Sequence, residues 1–76
     1  MIQEEKAFII RAYDKVELAE LYNPGRTAAA ALQTLYRWMQ RNTLLKEELK
    51  EAGYNKFRHS FLKHEVAIIV KHLGEP

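Results

Sequence analysis

The sequence contains no cysteine. That excludes disulfides, zinc ribbons and thiol catalysis, and it agrees with a reducing cytoplasm. Serine and aspartate occur once each, as Ser60 and Asp14. Both stand where helices are expected to begin, so they read as caps rather than as a nucleophile or a catalytic acid. The three glycines, Gly25, Gly53 and Gly74, are isolated, so no glycine-rich loop is available to cradle a phosphate. Apolar runs are short: Val66 to Val70 is five residues, against about 20 for a membrane-spanning helix. The opening Met1-Ile2-Gln3-Glu4-Glu5-Lys6 lacks the basic and long apolar regions of a secretory signal, which points to the cytoplasm. An excess of one charge is missing too. Lys and Arg number 12 against 10 Asp and Glu, a net of +2, far below what coating nucleic acid by charge alone requires.

What is present is a chain of 76 residues, 47% hydrophobic and 29% charged. That is one small domain, whose core buries roughly 60% of the unfolded chain's surface. Residues 1–6 are polar and are expected to fray. Phe8-Ile9-Ile10-Arg11-Ala12-Tyr13 is rich in aromatic and β-branched residues and reads as an extended segment or short strand. Asp14 and Glu17 have the spacing of a capping box, opening a helix that runs to about Tyr22 before the turn Asn23-Pro24-Gly25.

Thr27 caps a longer helix expected to reach Arg41. At about 100° per residue, Ala28, Ala31, Leu32, Leu35, Tyr36 and Met39 share one side of it. Asn42 or Thr43 restarts a third helix carrying Leu45, Leu49 and Ala52, closed by Gly53. Tyr54 to Ser60 connects to a last helix that starts between Ser60 and Lys63 and ends at Leu73. A short pairing of Phe57-Arg58-His59 with residues 8–12 would account for both extended segments. The expected class is therefore mainly α, a compact bundle of about four helices with a helix-turn-helix-like pair and room for one short two-stranded β pairing. Its core is expected to hold Ile10, Leu18, Leu21, Leu32, Leu35, Tyr36, Met39, Leu45, Leu49, Val66, Ile69, Val70 and Leu73, with Trp38 partly buried.

Few constellations carry chemistry. His59, His64 and His72 do not have the i,i+3 or i,i+4 spacing that aims ligands at one ion. No metal, no other cofactor and no small-molecule substrate is expected, and the chain does not read as an enzyme. Lys46 and Lys50 lie among Glu47, Glu48 and Glu51, which reads as a solvated face with local ion pairs.

The informative feature is charge segregation. Residues 1–22 carry a net of −2, residues 26–46 carry Arg26, Arg37, Arg41 and Lys46 with no acid, residues 47–52 return to −2, and residues 54–72 carry +3. The polar face of the long helix thus presents Gln33, Arg37, Gln40 and Arg41, side chains that read base edges or clamp phosphates. Leu18-Ala19, Tyr22, Ala29 and Leu32 also reproduce the small-and-apolar spacing of a helix-turn-helix. The candidate nucleic-acid-binding residues are Arg26, Gln33, Arg37, Gln40, Arg41 and Lys46, and the partner would be double-stranded DNA. The plain alternative is an ordinary helical pair with a solvated basic face. A further alternative is a protein-interaction or adaptor domain, or self-association, through a patch formed by Phe57, Phe61, Ala67 and Ile68.

The order of these residues resembles a known family. Phe8-Ile9-Ile10-Arg11-Ala12-Tyr13, Glu17-Leu18-Ala19-Glu20-Leu21-Tyr22, Arg37-Trp38-Met39, Asn42, Leu49, Gly53-Tyr54, Glu65-Val66, Ile69-Val70 and the ending Leu73-Gly74-Glu75-Pro76 are similar to the bacterial domain-of-unknown-function family number 4248. Leu-Gly-Glu-Pro is the most distinctive part. The family often opens its last helix with Thr-Pro, where this chain has Leu62-Lys63, which makes Ser60 the better capping candidate. The resemblance implies a bacterial, intracellular origin and supplies no catalytic residue.

Overall fold

A computed structural model describes residues 8–76. The frayed segment expected at residues 1–6 lies outside the described residues. The elements follow in the order β1 (Tyr13–Asp14), α1 (Lys15–Tyr22), α2 (Ala28–Arg41), α3 (Thr43–Glu51), β2 (Ser60–Phe61) and α4 (Lys63–Leu73).

The strand pairing exists, but it is displaced from the expected register. β1 and β2 are antiparallel, with Tyr13 opposite Phe61 and Asp14 opposite Ser60. One of the two pairs is a core pair: Tyr13 and Phe61 are both buried, whereas Phe57 is exposed. Phe8 stacks on Tyr13 at 5.4 Å, so the segment before the pair packs without ladder bonds.

Asp14 occupies the N-cap position of α1, but its side chain makes no capping bond. The backbone N–H of Lys15 instead donates to the carbonyl of His59 at 2.9 Å. Glu17, expected to complete a capping box, accepts from Arg11 at 3.2 Å. The strand connection therefore satisfies the first helical N–H, whereas the box would have bonded those of Asp14 and Glu17.

Both caps expected in the middle of the chain are formed. Thr27 accepts from the Ala30 N–H at 3.2 Å, and Asn42 accepts from the Leu45 N–H at 3.0 Å. Ala31, Leu35 and Met39 make the buried stripe of α2, and Leu45 and Leu49 that of α3. Ala19 of α1 and Ala31 are wholly buried, so the two helices approach over methyl groups. Tyr22 and Trp38 close this pair edge-to-face at 6.2 Å.

Ser60 does not cap α4. It lies in β2, and Leu62 takes the N-cap position. Leu has no acceptor, so Glu65 works alone, accepting the Leu62 N–H at 2.7 Å. Gly53 and Gly74 follow α3 and α4 at φ of 84°, a conformation that terminates helices at little cost only for glycine.

Of the expected core, Leu18, Leu35, Met39, Leu45, Leu49, Val66 and Ile69 are buried, and Ile10, Leu32, Tyr36, Val70 and Leu73 pack against them half-buried. Trp38 is half-buried as expected. Leu21 is not core: it is 45% exposed, because the turn of α1 that faces α2 is the one bearing Leu18 and Ala19. Tyr13, Ala19, Ala31 and Phe61 complete the core. Among the described residues, no helix is long and apolar enough to cross a membrane.

Candidate functional site

The exposed face of α2 is set by its buried one. With Ala31, Leu35 and Met39 turned inward, helical geometry sends Gln33, Arg37, Gln40 and Arg41 outward, and all four are exposed. Gln33 and Arg41 are eight residues apart, about 12 Å along the axis. Arg26, in the turn before α2, and Lys46, on α3, are also exposed.

Among the described residues, none of these cations forms an ion pair. The pairs that do form lie elsewhere: Arg11 with Glu17, Arg58 with Glu65, and Lys71 and His72 with Glu48. The last is a correction to the expected local pairing on α3. Glu48 turns to α4, where His72 and Lys71 donate at 2.8 and 3.1 Å and hold its carboxyl below the usual range. Lys46 and Lys50 are left without a carboxylate among the described residues.

Those two lysines border a groove. Met39, 5% exposed, and Leu49, 2% exposed, lie at its base, Tyr54 stands at its side, and Gln40, Lys46, Lys50 and Lys56 line its edges. Its volume is about 280 Å³. Through Met39, Gln40, Tyr54 and Lys56 it continues into a second hollow of about 360 Å³, bordered by Tyr36 and Phe57. The expected patch of Phe57, Phe61, Ala67 and Ile68 does not form. Phe61 is fully buried beneath Tyr54, and Ile68 is half-buried against the core, which leaves Phe57 and Ala67 exposed.

Behind the groove stands a buried charge cluster that sequence patterning did not reveal. Lys15 is 4% exposed, and its Nζ donates to the carbonyls of Asn55 and Lys56 at 3.3 and 3.2 Å. Burial lowers its pKa, Arg58 lowers it further, and Glu65 opposes both. The same ammonium lies 4.7 Å from the Tyr54 ring centroid and 5.5 Å from that of Phe61. Burial pushes the Tyr54 hydroxyl up to about 12, with Tyr36 adding to the shift. The cluster clamps the loop from Tyr54 to Ser60 onto α1 and α4, and so fixes one wall of the groove. A lysine at the first position of a short helix gives no sequence signal of burial. The groove lysines did leave one, the i,i+4 spacing of Lys46 and Lys50.

The three histidines stand apart. His59 and His64 are exposed and His72 contacts Glu48. Among the described residues, no group of three metal-ligating side chains converges.

No curated protein and no solved structure matches the chain. A family model does match, over residues 9–76, and it includes the extended segment, all four helices and the Leu-Gly-Glu-Pro ending. The chain belongs to the family described as Domain of unknown function (DUF4248).

Proposed function

We propose that the chain is a helix-turn-helix-like DNA-binding or regulatory accessory domain of the bacterial cytoplasm, acting by binding and not by turnover. The observation that carries this reading is the outer face of α2, where Gln33, Arg37, Gln40 and Arg41 are exposed in one stripe with no acid among them. Leu18 and Ala19 of α1 share the core with Ala31 of α2, and in a helix-turn-helix the first helix crosses the backbone while the second enters a major groove. Gln33, Arg37 and Gln40 face the groove, while Arg26, Arg41 and Lys46 hold phosphates. Glutamine and arginine recognise bases by paired hydrogen bonds, and phosphate contacts set register.

The test is titration with mixed-sequence duplex DNA at several salt concentrations. If Arg26, Arg41 and Lys46 contact phosphates, log K falls against log salt with a slope of about −3. Arg41→Ala reduces the slope by about one. Arg37→Ala, which removes a base contact, lowers sequence preference instead. Absence of binding at low salt would sink the DNA reading.

A further inference from the structure

We propose that the groove between α2, α3 and the loop leading to β2 is a docking site for an acidic peptide segment of a protein partner, held by an apolar side chain seated between carboxylates. This reading does not rest on duplex binding by α2, although Gln40 and Lys46 border both surfaces.

Two features define the occupant. The base of the groove is apolar, since Met39 and Leu49 are nearly fully buried beneath it. A methionine floor adapts to the shape of an inserted side chain. The rim is cationic: Lys46 and Lys50 are one helical turn apart on α3, and Lys56 stands on the loop. None of the three has a carboxylate partner among the described residues, and Gln40 offers both a donor and an acceptor to a peptide backbone. Apolar anchor and flanking acids are the complement of that surface.

Single-stranded nucleic acid shares the charge but needs free aromatic faces for its bases. Here the Tyr54 ring is engaged by Phe61, stacked at 5.9 Å, and by the Lys15 ammonium. Phe57, 80% exposed, is the one exposed aromatic among the described residues, and the Lys56 ammonium lies 5.2 Å from its centroid. One ring takes one base, whereas a hollow takes a side chain.

The experiment is an amide-resolved NMR titration of the full chain. The probe is a blocked hexapeptide, Asp-Glu-Leu-Phe-Asp-Glu, with Asp-Glu-Ser-Ser-Asp-Glu and a six-nucleotide oligo-dT as controls. The expected result is saturable shifts of the Met39, Leu49, Tyr54 and Phe57 amides, with the Ser-Ser peptide at least about tenfold weaker. The double variant Lys50→Glu, Lys56→Glu and the single variant Phe57→Ala each weaken the first peptide about tenfold. All three positions are exposed, so an unchanged amide spectrum elsewhere certifies the fold. Arg37→Ala, which the DNA reading requires, leaves the peptide titration unchanged. Equal binding of the two peptides, no shifts at millimolar peptide, tighter oligo-dT binding at the same amides, or a dimer in sedimentation that Phe57→Ala dissociates would each overturn the assignment.

Discussion

Glu65 shows how much one side chain can hold. It is fully buried, its Oε1 accepts the Leu62 N–H and pairs with Arg58, and its Oε2 has no partner. Replacing it by alanine strands an arginine and a helix N-terminal amide together. Glu65→Ala is expected to cost about 3 kcal/mol, read as a lower urea midpoint at unchanged slope. Glu65→Gln keeps an acceptor for Leu62 and is expected to lose less. For a chain this size total stability is on the order of 4–11 kcal/mol, so the alanine variant is close to unfolding. Nothing in the sequence marks Glu65 as buried. Hydrophobic periodicity reports apolar residues on a face, and an acid among the cations of residues 54–72 looks like solvated charge until Arg58 is brought to it.

At the scale of elements, the caps separate local from tertiary causes. Thr27 and Asn42 accept the N–H three residues on, as their types and positions predict. Thr27→Ala and Asn42→Ala are each expected to lower stability by about 1 kcal/mol in denaturant melts. Asp14→Ala is expected to cost much less, since its side chain makes no capping bond and the start of α1 is tied to His59. The capping-box expectation at Asp14 and Glu17 failed because a box is a local preference. Here an arginine six residues before Glu17 and a strand from the far end of the chain took both partners. The α2 stripe was legible for the converse reason: a 14-residue helix with one apolar side leaves a single way to face the core. Gln33, Arg37, Gln40 and Arg41 follow from that orientation, whereas the groove depends on Tyr54, Lys56 and Phe57, placed by a loop whose path no periodicity describes.

At the scale of the whole molecule, the first and last helices are joined at their C-terminal ends. The Tyr22 hydroxyl donates to the carbonyl of Gly74, which brings the end of α1 to the end of α4. Burial, with Glu75 nearby, pushes that hydroxyl up to about 12, the same value that burial gives Tyr54. Both lie above the ordinary tyrosine value of about 10, so the fold favours the neutral phenols. The contribution is complete below about pH 10, and it is lost as pH rises from there through 12. Chemical denaturation across that interval is expected to show falling stability, with a shallower fall for Tyr22→Phe, Tyr54→Phe. Phenolate absorbance in the native protein is expected to show the corresponding late ionisation in the parent chain.

The absence of cysteine and of long apolar runs, together with the charge pattern, determined much from the sequence alone: a small, mainly helical domain with an acid-free basic face on its longest helix. Those properties depend on residue type and spacing along one element, and spacing survives without knowledge of neighbours. Tertiary structure decided the strand register, the exposure of Leu21, the burial of Phe61, Lys15 and Glu65, and the groove between α2, α3 and the loop. Each of these depends on which surfaces meet across the chain, and burial is a property of the pair in contact rather than of either residue alone.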